Sequence, residues 1–441
     1  MILILTQCFP SRIGGVENLI SNLALSLSNS KKIIVFADSH HLTNDAQYDN
    51  LYKNRITVYR TGGIKFLRRR KKIKEVKNFI ESNEVKLIIA DSWKSLEIGI
   101  DYFNYKKIPT ICLAHGNELL SSNPNKNKRI NQTLNKTNSI ISNSNYTKSL
   151  VSRVTKSHSN INVIYPGASD LRNLKENKIN NINGDPILLT LARLEKRKGH
   201  LIIIKAIKEL LNEFSNLTYL IAGNGPEEKS LKQFVHENNL QKNIIFLGNI
   251  DDSQKKYIFD KTDLMIMPTL DETKNNSIEG FGIAYIEAAF FSIPSIASNK
   301  GGTPEAVLDN VTGKIINNIN ELENSIRELI INKKLREKLG INAKQRAENE
   351  LSWKIISDKY GRNYFLLSDS GEIFTHKVGN EISNGERIYD SGIVDFSWSA
   401  NLDQVFAVSN QELLAIRDNK VQKSFKVSNP ISSVHTFESL F

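Results

Sequence analysis

The chain predicts an α/β fold with two doubly wound domains of mainly parallel strands facing one another across a cleft, and a small β-rich appendage behind them. Three observations carry this expectation. Short β-branched runs alternate with stretches of helical periodicity from the first residue to about 165, the alternation stops and restarts after a polar stretch, and the composition changes again near residue 363. Strands alternating with helices form parallel sheets covered on both faces.

In the first series the apolar runs are Ile2–Leu5, Ile33–Phe36, Ile56–Tyr59, Leu87–Ile89, Thr110–Leu113, Ile140–Ser142 and Asn162–Tyr165, separated by helical patterns such as Val16–Leu27 and Lys72–Glu81. Residues 1–167 are therefore assigned to one domain. An Asn/Lys-rich segment ending in Gly184-Asp185-Pro186 reads as a linker over 168–185. The second series, Ile187–Leu191, Thr218–Ala222, Ile244–Leu247, Leu264–Met267 and Ser295–Ala297, has helices near 199–214, 226–238 and 282–291, and marks a second domain over 186–350. A last helix over 351–362, around Trp353 and Tyr360, is expected to return to the first domain. Residues 363–441 alternate in short strands with turn signals, as in Val405-Phe-Ala-Val-Ser-Asn410, and the segment Ser391–Ala400 resembles part of a propeller, with too few strands for a closed ring.

The 441 residues include 59 Lys+Arg and 47 Asp+Glu, a formal net charge of +12, which points to an anionic partner. The surplus is one-sided: residues 1–183 hold 28 basic and 13 acidic residues, and the remainder holds 31 and 34. The densest run, Lys65 to Lys77, carries eight basic residues and one acid. Two cysteines, Cys8 and Cys112, lack metal-ligand spacing and offer at most one bridge, so a disulfide framework and a zinc cluster drop out and a reducing cytosol fits best. MILIL at the start has no basic flank or cleavage site, and no apolar run reaches the ~18 residues of a membrane span.

Chemistry concentrates in the second half. Leu191-Ala-Arg-Leu-Glu-Lys-Arg-Lys-Gly-His200 follows a buried strand and opens a helix, placing Arg193 and Lys198 where phosphates bind; a solvated loop is the alternative. Gly223-Asn-Gly225-Pro226 allows close approach of a ligand but lacks the third glycine of a dinucleotide fingerprint, and a plain turn accounts for it equally. Glu279-Gly-Phe-Gly-Ile-Ala-Tyr-Ile-Glu287 is the most specific element. Glu279 falls in a loop, Gly280 and Gly282 expose amides, and Glu287 falls in the second turn of the following helix. Gly301-Gly-Thr-Pro-Glu305 closes the next strand.

In this order, Gly14-Gly15 after the first strand, His115-Gly-Asn-Glu118, Arg193 with Lys198-Gly199, Gly223-x-Gly225-Pro226, Glu279 with Glu287, and Gly301-Gly302-x-Pro304-Glu305 resemble the GT-B glycosyltransferases of family 4. The resemblance covers residues 1 to about 365, and its details are most similar to the branch of phosphatidylinositol mannosyltransferases and other bacterial enzymes. It implies two Rossmann-like domains and retaining transfer of a hexosyl group from a nucleotide diphosphate sugar, GDP-mannose or a UDP-hexose, to a hydroxyl of a lipid-linked or saccharide acceptor. The implied setting is cell-envelope glycan synthesis, such as polysaccharide or lipopolysaccharide biosynthesis. No metal or other cofactor is expected, and no Asp-x-Asp motif is present.

Carried over residue by residue, the resemblance makes Arg193 and Lys198 stabilise the departing diphosphate, Glu279 hold the sugar hydroxyls and Glu287 bind the ribose. The amides of Phe281 to Ile283 support the phosphates, Gly14 and Gly15 let the N-terminal loop close, and Gly223, Gly225, Gly280 and Gly282 complete the donor wall. His115 donates to the sugar or to the reacting centre, and Asn117 and Glu118 contact the acceptor.

In the basic run, Ile73, Val76, Phe79 and Ile80 recur at helical spacing, so one face packs on the sheet while Arg68, Arg69, Arg70, Lys71 and Lys72 are expected to stay exposed and to meet anionic lipid. The expected location is cytoplasmic, with peripheral contact at the inner face of the membrane. Rival readings are a noncatalytic protein of the same fold and a basic nucleic-acid binder; the second lacks any recognised nucleic-acid motif, and no nucleic-acid partner is expected.

Overall fold

The computed structural model describes residues 1–12, 14–155 and 160–362 and, beyond them, the strand residues of the tail. The first half holds seven parallel strands, β1 (Ile2–Thr6), β2 (Ile33–Asp38), β3 (Ile56–Thr61), β4 (Leu87–Ala90), β5 (Thr110–Ala114), β6 (Ser139–Ser142) and β7 (Ile161–Val163), in the order β3-β2-β1-β4-β5-β6-β7. Helices α1 (Gly15–Leu27), α2 (Leu42–Leu51), α3 (Lys65–Glu81), α4 (Trp93–Leu96), α5 (Ile100–Tyr105), α6 (Pro124–Leu134) and α7 (Asn145–Thr155) connect them. β1 and β2 are buried along their whole length, which is why they read as unbroken apolar runs.

The second half repeats the plan. Strands β8 (Ile187–Leu191), β9 (Thr218–Ala222), β10 (Ile244–Gly248), β11 (Leu264–Met267), β12 (Ser295–Ser298) and β13 (Gly313–Ile316) take the order β10-β9-β8-β11-β12-β13. Their helices are α8 (His200–Leu210), α9 (Glu228–Glu237), α10 (Asp252–Phe259), α11 (Ile283–Ala289), α12 (Thr303–Ala306), α13 (Leu322–Ile331) and α14 (Lys333–Glu350). Strand β13 is an addition to the sequence reading; it pairs with β12 as a short, partly exposed edge. The strand expected at Asn162–Tyr165 is instead Ile161–Val163.

Strand order reverses between β1 and β4 in one sheet and between β8 and β11 in the other. Each reversal opens a crevice at the carboxyl ends of the strands, and a ligand site belongs there. The chain returns at the crossing point between the halves: Ala168 bridges to Ser352, and the Trp353 ring lies where a Gly167 side chain would stand. Helix α15 (Trp353–Arg362) follows. In the tail, Leu366–Leu367, Ile373–Thr375 and Glu386–Tyr389 form one antiparallel sheet, and Ile393–Ser399, Gln404–Ser409, Glu412–Arg417 and Lys420–Lys426 form a four-stranded antiparallel meander. Ser391, Ala400 and Asn410, which belong to the segments read as propeller-like, lie outside the described residues.

Helix α3 corrects the expectation of a uniformly exposed basic face. Ile73, Val76 and Ile80 are buried against the sheet, and Lys72, one residue before Ile73 and four before Val76, shares that face. Lys72 Nζ lies 2.7 Å from Asp38 Oδ1 and donates to the Thr6 carbonyl. Arg68 Nε is 2.9 Å from the other Asp38 oxygen, and Arg69 is 2.7 Å from Glu97 Oε2. Only the outward positions, among them Arg70 and Lys71, are exposed. Lys72→Ala strands part of a buried carboxylate charge, so denaturant unfolding should show a loss of about 3–5 kcal/mol, whereas Lys71→Ala should stay within ~0.5 kcal/mol.

Candidate active site

A cleft of about 490 Å³ opens between the carboxyl ends of the two sheets, within the usual range for small-molecule sites. Of the residues expected in the site, His115, Asn117, Glu118, Arg193, Lys198, Glu279, Glu287, Gly14, Gly15, Gly223, Gly280, Phe281, Gly282 and Ile283 all line it. Gly225 does not; a Cβ there would overlap the Leu194 backbone, so this glycine serves packing beneath the wall. Gly223, with φ 134°, passes equally close to the Ala192 carbonyl.

The wall from the second half is built around one carboxylate. Glu279 Oε2 accepts from Arg197 Nη1 at 2.7 Å and from Lys198 Nζ, and Lys198 is buried. Burial alone would push the Glu279 carboxyl up, but the charges of Lys198 and Arg197 outweigh it and hold the group below the usual carboxylate range. The same burial pulls the Lys198 ammonium below its ordinary value against the pull of Glu279. Arg193 takes a different position: its side chain is 63% exposed and pairs with Glu195 at 3.0 Å, while its carbonyl faces His200 Nε2.

The cation beside Glu279 in addition to Lys198 is therefore Arg197, not the Arg193 expected from the sequence, because a Lys-Arg-Lys run does not say which side chain turns inward. Glu287, in α11, is likewise buried, and Lys255 from α10 lies 3.4 Å away and also 3.0 Å from Asp252. The charges of Glu287 and Asp252 raise the Lys255 ammonium despite its burial.

The wall from the first half is organised by Asp91 at the strand-order reversal. Its Oδ2 accepts from Thr6 Oγ1, the Gln7 amide and the Cys8 amide at 2.8, 2.7 and 3.2 Å, and Oδ1 accepts from Ser95 Oγ at 2.6 Å, which ties the loop after β1 to α4. His115 follows β5. Its Nε2 stands 2.8 Å from the Asp91 carbonyl, which can only accept, so Nε2 carries a proton. Glu118 is occupied by the His115 amide at 2.7 Å, and Asn117 Oδ1 accepts from the Ile278 amide of the other half at 2.6 Å.

The two walls meet backbone to backbone. A Cβ on Gly280 would overlap the His115 carbonyl oxygen, and one on Gly302 would overlap the Gly280 carbonyl. Phe281 stacks on Tyr165 with centroids 5.1 Å apart. The Glu305 carboxylate crosses to α7 and accepts from the amides of Asn145 and Tyr146 at 2.7 and 2.9 Å, a helix cap supplied by the opposite half.

Two doubly wound domains that meet across a charged cleft define the GT-B architecture. The profile described as Glycosyltransferase Family 4 matches residues 13–170, and that of Glycosyl transferases group 1 matches 172–346. The chain belongs to the GT-B glycosyltransferases of family 4. An uncharacterized glycosyltransferase of Methanocaldococcus jannaschii is 29% identical over 79% of this chain and 96% of its own. A GDP-mannose-dependent alpha-(1-6)-phosphatidylinositol monomannoside mannosyltransferase of Mycolicibacterium smegmatis is 25% identical over 38% of this chain and 45% of its own. A Corynebacterium glutamicum enzyme acting on the monoacylated form is 26% identical over 44% and 51%. The chain thus spans about half the length of these mannosyltransferases. Among solved structures, Anabaena HepE in complex with UDP and glucose superposes with a TM-score of 0.68 at 20% identity, covering 82% of this chain and 99% of that one, and shows the same fold.

Two outcomes test this geometry. Glu305→Ala removes the cap on α7 and should lower stability by about 1 kcal/mol, with a larger radius of gyration in small-angle scattering as the halves part. His200, at the start of α8, is buried, and burial pulls its imidazole down to about 4. Unfolding restores an ordinary value near ~6.5, so between those values the unfolded chain binds the extra proton. Stability should therefore be full above the upper value and fall as pH drops toward 4. His200→Gln should flatten that slope in thermal unfolding across the same window.

Proposed function

We propose that the protein is a retaining glycosyltransferase that moves a hexosyl group from a nucleotide diphosphate sugar to a hydroxyl acceptor without a bound metal. The observation that carries the reading is the half-buried Glu279 held between Arg197 and Lys198 in the cleft. Two cations on one carboxylate can pass to an arriving diphosphate, and a freed carboxylate can then accept from sugar hydroxyls.

In the reaction, the bond from the anomeric carbon to the diphosphate oxygen breaks and a new bond forms to the acceptor oxygen on the same face. The leaving phosphate takes the acceptor proton. Lys198 and Arg197 carry the charge that develops on the diphosphate, assisted by Arg193 once its side chain turns inward from Glu195, and by the amides around Phe281 and Ile283. Glu287, 3.4 Å from Lys255, receives the ribose hydroxyls. Glu279 orients the sugar, and the His115 ring forms a hydrogen bond to one of its hydroxyls through Nδ1. GDP-mannose is the favoured donor because the mannosyltransferase relatives use it by name, with UDP-hexoses next, since HepE is seen with UDP and glucose.

The acceptor side faces a membrane. Ile64, Leu67, Lys71 and Lys74 lie on one outward stripe of α3 and its entry, with Ile64 and Leu67 76% and 58% exposed, and Leu42 is exposed after the neighbouring strand β2. Apolar side chains followed by cations on one face suit the surface of an anionic bilayer. No helix among the described residues is long and apolar enough to cross it.

A screen of UDP-, GDP- and ADP-sugars by thermal shift and nucleotide release should yield one donor that raises the unfolding midpoint. With that donor, Glu279→Gln should cut nucleotide release by about 10²–10³-fold while the far-UV spectrum is kept. Unchanged release, or silence from every donor, sinks the reading in favour of a noncatalytic protein of this fold. Vesicles containing phosphatidylglycerol should bind the chain at low salt, and Lys71→Ser with Lys74→Ser should weaken binding about 30-fold, at ~1 kcal/mol for each cation.

A further inference from the structure

The loop between β1 and α1 lines the cleft with Gln7 and Cys8 before its bend and with Gly14 after it, yet its course is fixed largely from outside the cleft. At its start Asp91 holds Thr6 and the amides of Gln7 and Cys8. The bend at Pro10 and Ser11 is held by two residues that do not line the cleft, Asp45 of α2 and Arg60 of β3.

Asp45 is buried. Its Oδ1 accepts from Ser11 Oγ at 2.7 Å, and its Oδ2 accepts from Ser39 Oγ at 2.9 Å and from the His40 and His41 amides at 3.0 and 3.3 Å. Arg60 Nη1 stands 3.4 Å from Oδ1. Burial alone would raise the Asp45 carboxyl, but the hydrogen bonds from Ser11, the His40 amide and Ser39, with the charge of Arg60, outweigh it and hold the group down at about 2. Arg60 also donates to the Pro10 carbonyl and grips Asp49 with two nitrogens, Nε at 3.0 Å and Nη2 at 2.7 Å. Its guanidinium lies 5.3 Å from the centre of the Phe9 ring, and Phe9 is buried edge-on against Tyr48 with centroids 5.6 Å apart. Phe9, Pro10 and Ser11 are thus tied to α2 and β3. Beyond them Arg12 pairs with Glu17 of α1 at 3.0 Å, and a Cβ on Gly14 would overlap the Glu17 carboxylate. Stripping partners from a buried carboxylate is costly, and a loop that supplies those partners is held by the same cost.

We propose that Asp45, with Arg60, is a positioning residue: through Ser11 and Pro10 it sets the stretch of cleft wall that runs from Gln7 to Gly14, without touching a ligand. This rests on the glycosyltransferase reading, in which that stretch closes on the sugar nucleotide. The diphosphate and ribose contacts proposed for the second half do not pass through this loop, so a bare nucleotide and a sugar nucleotide should respond differently to its release.

The test uses the full chain, the donor identified by nucleotide release, and the variants Asp45→Ala, Ser11→Ala and Ser11→Thr. The serine variants leave α2 and its carboxylate in place, so Ser11→Ala decides the matter if Asp45→Ala does not fold. In Asp45→Ala and Ser11→Ala, affinity for the sugar nucleotide is expected to fall about fivefold and turnover at saturation about tenfold, with UDP or GDP affinity within about twofold of wild type. Ser11→Thr, which keeps the hydroxyl, should stay close to wild type. Asp45→Ala/Ser11→Ala should lose no more than Asp45→Ala alone, since both remove one contact. Amide exchange over residues 7–12 should quicken about tenfold in Ser11→Ala. Wild-type turnover and sugar-nucleotide affinity in Ser11→Ala, an equal loss of bare-nucleotide affinity, or unchanged exchange over 7–12 overturns the proposal. If the wild type turns over no sugar nucleotide, the glycosyltransferase reading falls by itself and exchange alone judges the anchor: faster exchange in Ser11→Ala upholds it, and unchanged exchange overturns it.

Discussion

The cleft exists in its present form because the main chains of the two halves touch. Gly280 presents no Cβ to the His115 carbonyl, Gly302 presents none to Gly280, and Glu305 closes the contact by capping α7 across the gap. Glu279 precedes one of these contact points and His115 forms the other. The spacing between the Glu279 carboxylate on one wall and the His115 imidazole on the other is thus set by backbone packing, which yields less than side-chain packing would. Asn117 adds a side-chain link to the Ile278 amide in the same place, and its residue type matters for that link as much as for any ligand.

Electrostatics divide the two walls. In the wall from the second half the cations at the cleft have a carboxylate within reach, Lys198 and Arg197 on Glu279 and Lys255 on Glu287, so an arriving anion enters by exchange. On the acceptor side the strongest pairs lie deeper, at Lys72 with Asp38 and Arg60 with Asp49, and secure the sheet and the loop after β1 instead of facing a ligand. Each of these pairs is neutral in sum, so the basic surplus of the first half lies with its other cations, many of them exposed, Lys71 and Lys74 on α3 among them.

Legibility followed burial. Strands β1, β2 and β8 stood out because a parallel strand covered on both faces must be apolar throughout, while β13, short and half-exposed at an edge, carried too little signal. Glycine-rich motifs located the cleft because backbone approach demands that residue, and only Gly225 serves the layer beneath it. Side-chain direction was the part that sequence could not convey. In the run Arg193-Leu-Glu-Lys-Arg-Lys198 the short turn before Gly199 points Arg197 and Lys198 inward and leaves Arg193 toward solvent, and in α3 helical periodicity buries Lys72 although the residues from Arg68 to Lys71 before it are all charged.

Helix α3 joins the outward stripe to the interior wall through one residue. Arg69 donates to the Lys94 carbonyl at 2.5 Å and pairs with Glu97, which also holds Arg129 beside Trp93. The helix that carries Leu67 and Lys71 on its outer face therefore braces, on its inner side, the backbone from which Lys94 reaches the cleft. The outward stripe of α3 and the cleft wall at Lys94 are therefore mechanically joined, and a load on the exposed face of the helix is passed to the backbone of that wall through Arg69.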